Sequence, residues 1–437
     1  MRICASLGSA ADVDHPDLAK ADMIEIRTDV FSGIPKDILR TGQTGLISFK
    51  KDDVCAVPEG WIADIGGSGR KGMIGPTVSS YHDLERTPCA AEIACILNKM
   101  DGDIVKGAFT VNSLKDNAEL MDASRTVRKK HVIIGMGELG KVTRIRQRLL
   151  GNEFTFAYAG SGTAPGQLSV AEMRDLGDDC VITGIIGRGI GYTRSPAMHG
   201  AAFSHSGIRG KYLVFDTPSL DRLRDVLIGY DIRGVNVTKP YKEAVIDHLD
   251  RCDSVSEEIG AVNTVVNEKG ELKGYNTDIF GIEMALKLNS VSVKGKRALI
   301  LGSGGAARSC ACFLSRNGCD TTITGRNAGT VKRVAKDFSL TARDRMSVAV
   351  KGYDIIVNCI PLNINNDRSE YPINIDQIDT GQTVFDMVYG RTHLTDTAKD
   401  RGCVIIKGEE MLAYQGMRSF ELFVSEKVRY EVMRDAV

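Results

Sequence analysis

The stretch Ala298-Leu-Ile-Leu-Gly-Ser-Gly-Gly-Ala-Ala307 decides the fold of the second half of this chain. Its apolar opening reads as a buried strand, and the small residues that follow let backbone approach a phosphate closely before a helix begins. Backbone N–H groups at such a helix start cradle a pyrophosphate. Gly302, Ser303, Gly304, Gly305, Ala306 and Ala307 are therefore candidate cofactor contacts. One strand later, Thr321-Thr-Ile-Thr ends in Gly325-Arg326-Asn327, where an acid bonding a ribose hydroxyl would mark NAD. Arg326, with Asn327 beside it, suits a 2′-phosphate instead, which points to NADP.

Working outward, Val293-Lys-Gly-Lys-Arg leads into this turn, and an α/β alternation precedes it from Val181 to about Ser290. A polar stretch, Asp175-Leu-Gly-Asp-Asp-Cys, places a boundary near residue 179. Downstream, Glu409 to Arg434 has helical periodicity, follows the last apolar run at Cys403 to Lys407, and is expected to pack back on residues 180–285. The first half holds eight strand candidates: Arg2 to Leu7, Met23 to Arg27, Gly45 to Phe49, Trp61 to Ile65, Thr77 to Tyr81, Ile104 to Phe109, His131 to Gly135 and Phe154 to Ala159. Helix-like stretches at Pro88 to Met100, Ser113 to Lys130 and Lys141 to Leu150 alternate with them, which implies parallel strands and a (β/α)8 barrel. The connections near Lys50 to Gly60 and Gly66 to Gly75 are short or glycine-rich, so the barrel is expected to be trimmed of some helices.

Length and charge bound the function. At about 150 residues per domain, 437 residues hold two or three domains. The 56 basic and 56 acidic residues cancel, which gives no electrostatic footprint for nucleic acid or an anionic membrane and favours small-molecule chemistry. Eleven cysteines lack zinc-type spacings and are odd in number, so reduced thiols in the cytosol are expected, with no metal. The opening Met1-Arg-Ile-Cys-Ala-Ser-Leu faintly imitates a signal peptide but soon meets Asp12, Asp14 and Asp17, and reads better as a buried strand. No apolar stretch approaches the roughly 18 residues of a membrane span.

Lys106 lies within the apolar strand Asp103-Ile-Val-Lys-Gly-Ala-Phe, where burial is expected to depress its pKa and supply a neutral amine for attack on a carbonyl. The bland alternative is a lysine reaching out of a strand end. His82, in Ser79-Ser-Tyr-His-Asp, stands where a strand yields to a loop, the catalytic end of a barrel strand. Glu25 and Arg27 alternate onto one strand face and are expected to form a buried opposite-charge pair able to bind hydroxyls, or a plain lumenal salt bridge.

With Gly135-Met-Gly-Glu-Leu-Gly-Lys-Val-Thr-Arg144 and Ala164-Pro-Gly-Gln167, these motifs resemble, in order and context across residues 1–178, the type I 3-dehydroquinate dehydratases. The resemblance implies that Lys106 forms an imine with the substrate ketone and that His82 removes the α-proton and returns it to the leaving hydroxyl. It places Glu25 and Arg27 on ring hydroxyls, Arg144 on the carboxylate and Gln167 on a further polar group. Thr163 stands where the family usually has serine. Lys50, in Ile47-Ser-Phe-Lys-Lys-Asp, replaces a substrate-binding arginine and loses its planar fork, and the following segment, which normally adds an acid, is shortened.

In the second half, Gly234-Val-Asn-Val-Thr-Lys-Pro-Tyr-Lys242 and Gly274-Tyr-Asn-Thr-Asp278 place a lysine and an acid on separate segments, a couple able to move a proton at a carbinol oxygen during hydride transfer. Taken singly, both are ordinary surface charges. Together with Gly187-Arg-Gly-Ile-Gly-Tyr-Thr-Arg-Ser-Pro-Ala-Met-His199, Gly260-Ala-Val-Asn-Thr264, Phe385-Asp-Met-Val-Tyr389 and Gly408-Glu-Glu-Met-Leu-Ala-Tyr-Gln415, they resemble shikimate dehydrogenase over residues 180–437. That resemblance implies that Thr193 and Ser195 bind a carboxylate, that Thr238, Asn263, Asn276 and Gln415 bind hydroxyls, that Lys242 and Asp278 are the catalytic couple, and that Tyr389 lies near carboxylate or nicotinamide. Thr193 departs mildly from the family's serine, and Val357-Asn-Cys-Ile-Pro-Leu departs from the usual residues beside the nicotinamide. Cys310 and Cys312 are expected to pack on the helix after the glycine turn.

The implied architecture is α/β throughout: a trimmed barrel over 1–178, an αβ substrate domain from 180–288 and 411–437, and a Rossmann NADP domain over 289–410. The implied substrates are 3-dehydroquinate, 3-dehydroshikimate and shikimate. Two alternatives stand beside this reading, a dehydratase fused to a quinate/shikimate dehydrogenase and a regulator whose barrel has lost activity. Oligomeric state is not legible in a single sequence.

Overall fold

The computed structural model describes residues 1–35, 38–39, 42–49, 57–66, 75–361 and 367–437. Lys50 lies outside the described residues. The chain divides into two compact units, residues 1–191 with 208–233 and residues 192–207 with 234–437.

The first unit carries β1 (Ile3–Leu7), β2 (Met23–Arg27), β3 (Thr44–Ser48), β4 (Ile62–Asp64), β5 (Thr77–Asp83), α1 (Ala90–Lys99), β6 (Ile104–Thr110), α2 (Leu114–Thr126), β7 (Lys130–Met136), α3 (Lys141–Ile145), β8 (Thr155–Ala159) and α4 (Val170–Leu176). The eight strands form one sheet in the order β7-β6-β5-β4-β3-β2-β1-β8, every ladder parallel. Between β7 and β8 an isolated bridge joins His131 to Asn152, so the barrel is nearly closed. The connections expected to be trimmed, near Lys50 to Gly60 and Gly66 to Gly75, lie largely outside the described residues; between β1 and β2, where the sequence raised no such expectation, two 3-10 turns, Ala10–Asp14 and Pro16–Lys20, stand in place of a crossover helix. Where a full helix does form, its start is chemically marked: Ser113 accepts from the Asp116 N–H and Asp116 reaches back, capping α2.

Strand parity builds the lumen. Cys4, Met23, Leu46, Ile62 and Val78 pack in one apolar cluster against Ile104. Two residues farther along the same six strands stand Ser6, Glu25, Ser48, Asp64, Ser80 and Lys106. Because side chains repeat their face every second residue, an apolar layer is overlaid by a polar one toward the C-terminal ends, the end at which such barrels work. The unit continues through β9 (Val181–Gly187), which pairs in parallel with β10 (Gly210–Asp216), and α6 (Leu223–Gly229).

The second unit contains α5 (Ser195–Ser206), most of β11 (Ile232–Val237), β12 (Arg251–Cys252), α7 (Ser254–Ile259), β13 (Thr264–Glu268), β14 (Glu271–Tyr275) and α8 (Asp278–Leu288). There β13 pairs antiparallel with β11 and β14, and β12 pairs in parallel with β14. A wholly parallel sheet follows, built from β15 (Arg297–Leu301), α9 (Gly305–Arg316), β16 (Asp320–Thr324), α10 (Ala328–Asp337), β17 (Thr341–Ala342), β18 (Ile355–Asn358), β19 (Thr383–Asp386), α11 (His393–Asp400) and β20 (Val404–Lys407) in the strand order β17-β16-β15-β18-β19-β20. Both faces are covered, as a parallel sheet requires. Ala298 and Ile300 join one apolar cluster with α9 and α10, while Leu299 and Leu301 join another with α11.

The chain ends in α12 (Gly408–Val424) and α13 (Tyr430–Arg434). As expected, α12 packs back: a Cβ at Gly281 of α8 would lie 2.8 Å from the Met411 carbonyl and 3.1 Å from the Gln415 Cβ, and one at Gly416 would lie 2.3 Å from the Met198 Cε of α5. Among the described residues no helix is long and apolar enough to cross a membrane.

Candidate functional sites

In the barrel, Lys106 is 7% exposed and its Nζ lies 3.0 Å from Asp64 Oδ2 and 4.4 Å from the centre of the Phe156 ring. Burial does oppose the ammonium, as the sequence suggested. The carboxylates of Asp64 and Glu25 outweigh it, however, and the amine is raised above its ordinary value rather than depressed. Lys106 therefore rests as a cation, and a proton has to leave before it attacks a carbonyl. Asp64 is the residue that sequence reasoning missed, an acid closing an otherwise apolar strand. Its other oxygen accepts from Ser80.

His82 stands two residues beyond Ser80, which is paired with Lys106 in register. Burial, reinforced by the Lys106 ammonium, pushes its imidazole down to about 4, so the ring is neutral at pH 7 and available as a base. Glu25 is buried, accepting from Ser6 and, at 2.6 Å, from Ser48. It does not pair with Arg27, contrary to the expected buried couple. Arg27 bonds Asp29 through Nε at 3.1 Å and Nη2 at 2.7 Å. Its place two residues farther along β2 puts it roughly 7 Å nearer the rim, within reach of the loop acid.

Arg144 is 3% exposed, its Nε has no partner, and its only hydrogen bond among the described residues is a 3.4 Å contact to the Phe156 carbonyl. Burial pulls its guanidinium down to about 10, leaving a cation suited to an incoming carboxylate. Gln167 Oε1 gathers the Thr163 N–H at 2.9 Å, the Thr163 hydroxyl at 2.8 Å and the Ala164 N–H at 3.1 Å, which fixes the loop after β8.

In the second unit the Lys242 ammonium meets Asp278 Oδ2 at 2.5 Å. Asn263 Nδ2 donates to the other oxygen, Asp278 Oδ1, at 2.7 Å, and also lies 3.3 Å from Gln415 Oε1. Thr277 and Thr264, not singled out from sequence, complete this knot through Asn263 Oδ1. Asn276 is buried with both ends of its amide engaged: Nδ2 donates to Ala261 O at 2.8 Å and Oδ1 accepts the Asp278 N–H at 3.1 Å. Thr193 and Ser195 bring their hydroxyls 3.2 Å apart at the start of α5. Thr238 is partly exposed and follows β11 directly. Burial, then the Asp278 charge, raises the Tyr389 phenol above its ordinary range.

The dinucleotide turn has the geometry its sequence implies. Gly302 takes φ +106°, a conformation that favours glycine, and Gly304 precedes the first turn of α9. A Cβ on Gly325 would lie 3.5 Å from Gly302 Cα, so the exposed Arg326 stands beside the turn, and no carboxylate among the described residues pairs with it. This fits a 2′-phosphate. Ser303 bonds Thr330 hydroxyl to hydroxyl at 2.6 Å, and Asn327 is occupied in capping α10. In the divergent stretch after β18, Asn358 serves the scaffold by donating to Asp386 at 2.9 Å, and Leu362 lies outside the described residues. Cys310 and Cys312 are buried, as expected.

Three family models match parts of the chain, and the second of them spans residues of both compact units. Residues 70–177 match the type I 3-dehydroquinase family, 185–265 the shikimate dehydrogenase substrate binding domain, and 408–437 the shikimate 5'-dehydrogenase C-terminal domain. A shikimate dehydrogenase (NADP(+)) of Carboxydothermus hydrogenoformans is 35% identical over 269 residues, covering 59% of this chain and 96% of that protein. Among solved structures, shikimate dehydrogenase from Aquifex aeolicus is similar with a TM-score of 0.57 at 30% identity, covering 60% of this chain and 98% of that one. The shikimate 5-dehydrogenase from Thermus thermophilus, in complex with NADP(H) and shikimate, gives a TM-score of 0.54 at 33% identity, covering 59% and 98%.

Proposed function

Because this chain is a bifunctional shikimate-pathway enzyme, a member of the shikimate dehydrogenase family with a type I 3-dehydroquinase module ahead of it, we propose that Lys106 and His82 run the dehydration and Lys242 and Asp278 the reduction. The observation that carries the reading is the presence in one chain of an enclosed lysine with a neutral histidine at its rim and a separate Lys–Asp couple against a dinucleotide turn.

In the barrel, the Lys106 ammonium hands its proton to Asp64, and the free amine adds to the ketone of 3-dehydroquinate and expels water as the imine forms. The protonated imine withdraws electrons, so the neutral His82 removes the α-proton and returns it to the departing hydroxyl. Arg144 holds the substrate carboxylate, and Glu25, Arg27 and Gln167 hold polar groups around the ring. Hydrolysis then frees 3-dehydroshikimate and Lys106.

In the second unit, Gly302 to Ala307 would cradle the pyrophosphate of NADPH and Arg326 its 2′-phosphate, and the bound cofactor would supply the hydride that the ketone carbon takes up. Lys242 and Asp278 deliver the proton that the ketone oxygen needs as it becomes a hydroxyl, while Asn263 and Gln415 orient the ring and Thr193 and Ser195 bind its carboxylate. Residues 1–178 serve the first step, 180–288 with 411–437 hold the second substrate, and 289–410 hold the cofactor.

The test mixes purified protein with 3-dehydroquinate and NADPH and follows shikimate, then repeats with NADH and with quinate plus NADP+. Shikimate formed preferentially with NADPH supports the reading, and turnover of quinate alone overturns the second step. Lys106→Ala is expected to abolish dehydration while 3-dehydroshikimate is still reduced.

A further inference from the structure

Helix α9 does more than offer its first turn to a pyrophosphate. Two of its residues one turn apart, Gly305 and Ser309, lie on one face, as residues i and i+4 do. Both address the Lys242–Asp278 couple. A Cβ built on Gly305 would lie 2.9 Å from Cβ and Cδ of Lys242, so the lysine stem runs directly across the helix start. Ser309, fully buried, places its hydroxyl 3.2 Å from Asn276 Oδ1.

The orientation of Asn276 is fixed by its neighbours. Its Nδ2 faces a carbonyl, Ala261 O at 2.8 Å, and its Oδ1 faces a donor, the Asp278 N–H at 3.1 Å. Oδ1 retains a second lone pair, and the Ser309 hydroxyl is the donor that reaches it. One amide oxygen therefore ties the backbone of the proton-handling acid to the cofactor helix. The same hydroxyl lies 3.2 Å from the Gly305 carbonyl, and with a single hydrogen it bonds one of the two acceptors at a time.

We propose that Ser309 is a positioning residue for the reduction: through Asn276 it holds the Asp278 backbone, and with it the Lys242–Asp278 couple, in register with the cofactor helix. This inference rests on the assignment of Lys242 and Asp278 as the proton-handling couple. A serine here has a purpose that an alanine lacks. Ser309 is fully buried, and it is the hydroxyl that bonds Asn276. The arrangement would hold the proton-handling couple in register with the helix against which the hydride donor would bind, which matters because a misplacement of about 1 Å is expensive in an oriented reaction.

The test is a kinetic double-mutant cycle on the full-length chain, with Ser309→Ala, Asn276→Ala and the double variant assayed for NADPH-dependent reduction of 3-dehydroshikimate. Ser309→Ala is expected to lower kcat by about fivefold to tenfold, the loss of one buried hydrogen bond, with KM for NADPH and the melting temperature little changed. In the Asn276→Ala background the serine substitution is expected to add nothing, since its effect passes through the missing amide. Additive losses, or a kcat within about twofold of the parent for Ser309→Ala, overturn the proposal. Lys242→Met separates the two levels of the argument. If it reduces the ketone normally, the assignment of the couple falls, whereas an inactive Lys242→Met beside an unaffected Ser309→Ala removes only the role of Ser309.

Discussion

At the scale of single residues, the barrel site is governed by a buried ion pair whose members cannot be removed independently. Lys106 and Asp64 are both at least nine-tenths buried, so deleting Lys106 strips Asp64 of its cation, and deleting Asp64 leaves the ammonium with Glu25 as its remaining carboxylate neighbour. Lys106→Met is expected to destabilise the first unit by about 3 kcal/mol and Asp64→Asn by less, since Glu25 still faces the ammonium, whereas the double variant regains part of the Lys106→Met loss, because one buried carboxylate leaves and Glu25 remains. Urea unfolding of the three variants checks this, and a double variant as unstable as the sum of the singles contradicts it. A second residue-scale prediction concerns His199 of α5, fully buried among Met198, Phe420 and Phe423. Burial pushes its imidazole from 6.5 to about 3. The unfolded chain therefore binds this proton first, so the stability contributed by the neutral ring is present above pH 6.5 and is lost as pH falls from there toward 3, at roughly 1.4 kcal/mol per unit. His199→Leu is expected to flatten the fall of the second unit's melting temperature between pH 6.5 and 4, and an unchanged slope counts against the assignment.

At the scale of elements, alternation and glycine turns were legible because they are local. All eight barrel strands fall within a residue or two of their apolar runs, and Lys106 and His82 are recognisable from the strands that carry them. What was not legible depends on partners distant in sequence. Asp64 closes a strand that reads as core, and its partner lies 42 residues away. Glu25 and Arg27 share a face, which the two-residue period shows, but the level at which each sits along the barrel axis is set by neighbouring strands, and that sent Arg27 to Asp29. Burial of Lys106 was foreseen, yet the sign of its pKa shift required knowing how many carboxylates share the lumen. The turn between β16 and α10 yields a prediction at this scale. Arg326 stands beside the glycine turn with no competing carboxylate among the described residues, and Asn327 is occupied by the α10 cap. Arg326→Ala is expected to raise KM for NADPH by about tenfold or more, the loss of a charge-assisted contact, while KM for NADH stays within about twofold. Equal effects on both cofactors would show that Arg326 supports the fold and not the phosphate.

At the scale of the whole molecule, the question is why residues 208–233 belong to the compact unit that contains the barrel. Arg146, just past α3 and 6% exposed, supplies the answer. Its guanidinium donates to the carbonyls of Asp178 at 2.8 Å, Cys180 at 2.8 Å, Tyr230 at 3.1 Å and Asp231 at 3.2 Å. The barrel's last connection, β9 and the turn after α6 are thereby gathered on one side chain. Around it, the Tyr230 hydroxyl donates to the Asn117 carbonyl at 2.8 Å, the Leu114 N–H reaches the Thr217 hydroxyl at 3.3 Å, and Arg222 pairs with Asp122 at 2.8 Å. Helix α2 of the barrel is thus bonded to a segment about a hundred residues later, and a cut after residue 178 strips those partners from buried groups. Arg146→Ala leaves four carbonyls without this donor and is expected to cost about 2–4 kcal/mol in the first unit, read as faster thermal loss of dehydration than of ketone reduction. Arg146→Lys is expected to fall nearly as far, because a single ammonium has three donors on one atom and cannot span carbonyls that the planar guanidinium meets through three nitrogens. If lysine restored the parent's thermal profile, positive charge alone would account for the joint, and the geometric role assigned to Arg146 would have to be abandoned.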